Sequence, residues 1–221
     1  MYEKLYCRIA GGENFHYLKY TPKNEGDEKK PLLVFMHGAG ERGKRDGSEL
    51  EKVALYGYFK DVADGKDFPF IMVAPQCPEN EYWGSFIESL NRFLDKIIAE
   101  NNVDTDRIYL TGMSMGGTAS WMWGLSSPER FAAIAPVCGS GIGWYAEKLI
   151  DTPVRAFHGD IDNIVSPHES LEMVSSINRR GGSAELILFH GAKHNISAMA
   201  YNDDLLKWFM SHSKDSNTIA I

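Results

Sequence analysis

The sequence predicts an α/β architecture: a mostly parallel central sheet with helices on both faces and an antiparallel hairpin added at one edge. Three observations lead there. Continuous apolar runs of strand length recur at 31–36, 70–75, 108–111, 132–137, 154–158 and 185–189, as suits strands covered on both faces. Helical patterns lie between and after them, at 50–60, 86–100, 115–125, 167–180 and 196–211, and such alternation builds parallel sheets sandwiched by helices. Several apolar runs also pass directly into glycine-bearing turns, at the strand ends where an open parallel sheet gathers its ligands.

In chain order, the first element is a hairpin. Two alternating segments, 2–9 and 14–20, flank Ala10-Gly11-Gly12-Glu13, a turn signal between strand signals. The Lys- and Glu-rich stretch 22–30 reads as a surface loop. The helix near 86 carries Ile87, Leu90, Leu94, Ile97 and Ile98 in a 3.6-residue rhythm, and Asn101-Asn102 supply a C-cap. Residues 138–151 form the one stretch with scope for a small lid. A single domain over 1–221 is expected, with the hairpin at 1–21, the catalytic core at 31–211 and a frayed tail at 212–221.

Composition narrows the function classes. With 43% hydrophobic and 24% charged residues the chain has the make-up of a soluble globular protein, and 221 residues bury roughly 70–75% of their unfolded surface. A net charge of −7 without a basic stripe argues against nucleic acid. Cys7, Cys77 and Cys138 are odd in number and widely spaced, as in a reducing compartment. No secretory leader is visible at the start, so a cytoplasmic setting is expected. No run approaches the roughly 18 apolar residues of a membrane span.

Four features carry chemistry. Ser114 stands in Gly-Met-Ser-Met-Gly-Gly at 112–117, after an apolar run. This fits the G-x-S-x-G elbow, which exposes a serine on a tight strand-to-helix turn. Gly112 and Gly116 suit it because a Cβ at either flank would meet neighbouring backbone. A serine that merely caps a helix fits the same five residues, so the rest of the chain decides. His37-Gly38-Ala39-Gly40-Glu41-Arg42-Gly43 follows the run ending at Met36. Free N–H groups there, that of Ala39 paired with that of Met115, would hold a developing oxyanion. The Gly-Lys-Ser/Thr ending of a P-loop is missing.

After the run at 154–158 come Gly159, Asp160, Ile161 and Asp162. Of the two acids, Asp162 lies further out and is better placed to reach a histidine on a neighbouring loop. After the last strand, His190 and His194 compete; His190 reads as a sheet-edge residue hydrogen-bonded to backbone, while His194 has four loop residues in which to swing back over Ser114. The order Ser, Asp, His is that of α/β-hydrolases. Ser114 would attack a carbonyl carbon, His194 would carry the proton, and Asp162 would fix the imidazole. Candidate substrate contacts are Trp83, Trp144, Gly40 and Arg42. Trp83 either stacks on an aromatic group or anchors its loop. Trp144 would roof the site. Arg42 meets a substrate carboxylate or, as the better-favoured reading, holds its loop through a salt bridge. The histidines are not spaced as metal ligands, and the chemistry needs neither a metal nor a cofactor.

The motifs at 37–43, 112–117 and 158–165, together with His194, resemble the small, lidless α/β-hydrolases. Among these the chain is most similar to the phospholipase/carboxylesterase and dienelactone-hydrolase-like group, which includes predicted peptidases and feruloyl-type esterases. The likeness runs from about Pro31 to Trp208. It implies the α/β-hydrolase fold, a triad of Ser114, Asp162 and His194, and an oxyanion hole from Ala39 and Met115. It also implies a serine carboxylesterase acting on small, short-chain or aromatic esters, with carbohydrate-linked ones included. A thioesterase or serine peptidase would use the same machinery. A non-catalytic binding module is disfavoured, since all three triad members are present. Two departures stand out: dienelactone hydrolases proper use a cysteine where this chain has Ser114, and Ser166 intervenes before Pro167.

Overall fold

The computed structural model describes residues 1–23 and 26–217. Eight strands run Tyr2–Cys7 (β1), Phe15–Tyr20 (β2), Lys30–Met36 (β3), Ile71–Pro75 (β4), Val103–Met113 (β5), Ala133–Val137 (β6), Val154–Gly159 (β7) and Ala184–Phe189 (β8). They form one sheet in the order β1-β2-β4-β3-β5-β6-β7-β8. β1 pairs antiparallel with β2, and β2 with β4; the other pairings are parallel. The fold is that of an α/β-hydrolase, with the hairpin extending one edge.

The apolar runs produce two cores because a strand alternates its side chains between faces. Leu32, Val34 and Met36 point into one core with α2 (Ile87–Glu100), α3 (Met115–Ser126) and α4 (Pro167–Arg179). Leu33 and Phe35 point into the other, with α1 (Gly57–Ala63) and α6 (Asp203–Met210). In α2 the apolar stripe Leu90, Phe93, Leu94 and Ile97 is fully buried, worth roughly 1.5–3 kcal/mol per side chain. The helix stops at Asn101, whose side-chain amide donates to the Ile97 carbonyl at 2.8 Å.

Two expected helices are broken. Over 50–60 the chain forms a 3-10 segment Leu50–Leu55, then leaves helical geometry at Tyr56 before α1 begins. Gly57 sits at φ +63° with the Phe35 ring 2.5 Å from where a Cβ would stand; apolar periodicity does not register such a turn. The last stretch divides into α5 (Ser197–Ala200) and α6, where the Asn202 side chain caps α6 by accepting from the Leu205 N–H at 2.9 Å. Part of the tail expected to fray is ordered: Lys214–Asn217 is helical (α7), and the Tyr109 hydroxyl donates to the His212 carbonyl at 2.9 Å. Residues 218–221 lie outside the described residues. Among the described residues no helix is long and apolar enough to cross a membrane.

One pairing positions the site. The chain leaves β3 toward β4 and returns through β5 on the other side, so β3 is where the winding reverses. The register matches Met36 with Gly112, which sets the turn after β3 beside the turn after β5. A crevice outside the strand ends forms at such a reversal.

Candidate active site

Ser114 occupies the turn between β5 and α3 at φ 58° and ψ −119°, a conformation that costs a non-glycine residue energy and persists only where surroundings enforce it. They do so here by close backbone packing. A Cβ on Gly116 would lie 1.9 Å from the Met36 carbonyl oxygen, one on Gly117 2.3 Å from that of Val137, and one on Gly112 2.5 Å from those of Gly116 and Met36. The Ser114 N–H is held by the Val137 carbonyl at 2.8 Å. The elbow is therefore clamped between β3, β5 and β6.

The three residues named from the sequence meet there. Ser114 Oγ lies 2.8 Å from His194 Nε2, and His194 Nδ1 lies 2.7 Å from Asp162 Oδ2. The other oxygen of Asp162 accepts the N–H groups of Ile164 at 2.8 Å and Val165 at 3.1 Å. Burial works against the Asp162 charge, but the bonds from His194, Ile164 and Val165 outweigh it and hold its pKa below the ordinary value. The rivals pair with each other: His190, fully exposed, meets Asp160 at 2.7 Å. That bond to a side chain replaces the backbone bond expected of His190.

Behind Asp162 lies a buried histidine. His158 Nε2 is 3.0 Å from the Val165 carbonyl and 3.3 Å from Asp162 Oδ2, and its Nδ1 is 2.8 Å from Ser170 Oγ. Carrying the proton on Nε2 lets the ring donate to Val165 and accept from Ser170. Burial lowers its pKa, in keeping with a neutral ring. Cys138 completes this cluster, its thiol donating to the His194 carbonyl at 3.3 Å. The ligand-type atoms of Cys138, His158 and Asp162 lie within 4.8 Å of one another. Each is already engaged in a hydrogen bond, and burial pushes the thiol up to about 12.

The turn at 37–43 borders the other side of Ser114. His37 is buried: its Nε2 accepts the Cys77 N–H at 2.9 Å, its Nδ1 faces the Gly38 carbonyl at 2.6 Å, and burial pushes its pKa down to about 4. Trp83 proves to be a loop anchor. It is 1% exposed, its indole N–H donates to the His37 carbonyl at 3.1 Å, and it is not among the residues that line the cleft. Arg42 also serves the turn: Nε donates to the Ala39 carbonyl at 2.9 Å, Nη1 to the Glu81 carbonyl at 3.1 Å, and the guanidinium lies over the Tyr82 ring. Backbone carbonyls thus replace the expected salt bridge. Trp144 is 85% exposed and does not line the cleft. Its segment, the 3-10 stretch Gly143–Leu149, packs Gly143 against Glu172 and Ser176 of α4.

The cleft itself has a volume of about 390 Å³. Ala39, Gly40, Ser114 and His194 line it, together with Phe35, Val53, Tyr56, Met113 and Ile164. Glu41 is its one acidic wall residue, with a pKa raised by burial against the pull of the Gly38 and Glu41 amides.

A family model described as "Dienelactone hydrolase family" matches residues 76–205. The chain belongs to this family. Among curated relatives it is 28% identical over 199 residues to "Feruloyl esterase B" of Piromyces equi, covering 83% of this chain and 34% of that protein. It is 25% identical over 173 residues to "Bifunctional acetylxylan esterase/xylanase XynS20E" of Neocallimastix patriciarum, covering 73% and 23%. The chain thus spans about a third or less of these relatives. Among solved structures, "Crystal Structure of a Thermostable Esterase" superposes with a TM-score of 0.81 at 28% identity, over 96% of this chain and 63% of that one.

This family member has wall residues that sequence reasoning missed. Tyr56 and Ile164 reach the cleft from turns whose course only the fold determines. Glu41 and His37 were visible in the glycine-rich motif, but nothing there separates a wall residue from a buried strut.

Proposed function

We propose that the protein is a serine carboxylesterase working through an acyl-enzyme. Ser114 Oγ attacks the ester carbonyl while His194 Nε2 takes its proton, and Asp162 keeps Nδ1–H in place and balances the imidazolium charge. The tetrahedral oxygen faces the amides of Ala39 and Met115. Both begin helical turns, where the first N–H groups have no partner within the helix, and each such donor is worth about 100- to 1000-fold in rate. His194 then returns the proton to the departing alcohol. Water, deprotonated by the same imidazole, releases the acid and restores Ser114.

The observation that carries this reading is the unbroken relay of 2.8 and 2.7 Å from Ser114 through His194 to Asp162. Aliphatic and aromatic cleft walls favour a short-chain or aromatic acyl group on a small ester. The names of the two curated relatives support esters of the feruloyl and acetyl type, carbohydrate-linked ones included. Hydrolysis of p-nitrophenyl acetate by the wild type, lost in Ser114→Ala, is the expected result. Equal rates from the two proteins would refute the reading.

A further inference from the structure

The catalytic cleft continues past His194. A second depression of about 410 Å³ adjoins it, and Tyr56 and Asn195 stand in the walls of both. We propose that this depression is the subsite for the alcohol half of the ester, and that the alcohol it takes is polyhydroxylated, a sugar residue. The proposal rests on the esterase reading above and assigns a direction to the bound substrate.

Direction follows from proton transfer. The leaving oxygen receives its proton from His194 Nε2, so it must lie beside that ring, with the remainder of the alcohol extending past the neighbouring residues. Asn195 is the next residue in the chain, and it forms the boundary between the two hollows.

Chemistry distinguishes the compartments. The cleft at Ser114 presents Phe35, Val53, Met113 and Ile164, which suit an apolar acyl group. The second hollow presents Lys60, Asp61 and Asn195 beside Leu55, the half-exposed Tyr56 and Ala198. Lys60 pairs with Asp64 at 2.5 Å, and Asp61 lies 3.8 Å from Lys66. An ammonium has three donors and a carboxylate about four acceptor positions, so each side chain has more hydrogen-bonding capacity than that one partner uses. A wall that combines an aromatic ring with such groups matches a sugar, whose C–H face packs on a ring while its hydroxyls bond to polar side chains. The volume lies within the roughly 300–1,000 Å³ of small-molecule sites.

The hollow is also built rigidly. Its two walls are tied together where the Gly57 N–H donates to Ser197 Oγ at 3.1 Å and the Tyr58 hydroxyl donates to the Asn202 carbonyl at 2.9 Å. A preorganised site of this kind spares the ordering cost of binding.

The test holds the acyl group constant and changes the alcohol. Hydrolysis of ethyl acetate and of glucose 6-acetate is followed by pH-stat for the wild type, for Ala198→Trp, which fills the hollow from an exposed position in its wall, and for Asp61→Ala. The wild type is expected to favour the sugar ester in kcat/KM by about tenfold, the equivalent of one or two hydrogen bonds. Each variant should lower that preference about fivefold, mainly through KM for the sugar ester. General damage to the fold lowers both esters together and leaves their ratio unchanged. A wild-type ratio near one, or ratios in both variants within twofold of the wild type, overturns the subsite while leaving the esterase reading standing. If neither ester is cleaved above the Ser114→Ala background, subsite and esterase readings fall together.

Discussion

The two turns that flank Ser114 are built in opposite ways. The turn at 37–43 is held from a distance: Cys77 binds the His37 ring, Trp83 its carbonyl, and Gln76 the Glu41 carbonyl at 2.9 Å. The turn at 158–165 is largely self-contained. Asp162 accepts the amides of Ile164 and Val165, while His158 closes the loop on the Val165 carbonyl. The difference fits the work assigned to each. A carboxylate needs a dense local set of donors to remain charged while buried. An amide that receives an oxyanion must stay unpaired, so its turn has to be supported through its carbonyls and side chains instead.

Asp162→Asn strikes the local turn at its centre and should have the largest effect. The amide oxygen still accepts from Ile164 and Val165, so the fold survives, but the imidazolium loses its counter-charge, and kcat on p-nitrophenyl acetate should fall about 10³- to 10⁴-fold. Asp160→Asn, two residues away on an exposed pair with His190, should leave rate and stability as in the wild type. Comparable losses from both variants would mean that the relay is not where the catalysis lies.

Acid probes the distant support next. His37 titrates near 6.5 when unfolded and is pushed down to about 4 in the fold. Between those values the unfolded chain binds the proton and the folded one does not, so stability rises with pH across the window. The full contribution is present above about 6.5 and is lost as pH falls toward 4. The loss from pH 7.5 to 4.5 should be on the order of 2–3 kcal/mol; His158, also lowered by burial, adds in the same direction. Urea midpoints at the two pH values measure it. Matching midpoints, or an imidazole of His37 that titrates near 6.5 in the folded protein, would contradict a buried neutral ring.

Trp83→Phe should have the smallest effect, since it keeps the ring and removes a single N–H donor to the His37 carbonyl. It should cost about 1 kcal/mol and slow catalysis several-fold with little change in KM. A change in KM alone would instead make Trp83 a substrate contact.

Much of this was legible in the sequence, for identifiable reasons. The apolar runs at 31–36 and 132–137 declare buried strands because both of their faces are covered, and Gly112 and Gly116 around Ser114 are required by backbone that passes too close for a Cβ. Other features left no sequence signal. The break between Leu55 and Gly57 lies inside a helical apolar rhythm, and only a positive φ against the Phe35 ring marks it. An indole near the end of a strand reads equally well as a stacking platform or as a strut. Its burial under the turn at 37–43 depends on residues distant in the chain.

The sequence by itself determined the order of strands and helices, the elbow and the residues able to move a proton, because periodicity and steric necessity are local properties of the chain. Tertiary structure alone decided which turn becomes a wall, that His37 and His158 are buried struts, and where the cleft opens into its neighbour. Those outcomes depend on the register of β3 against β5 and on contacts between segments far apart, which no local pattern encodes.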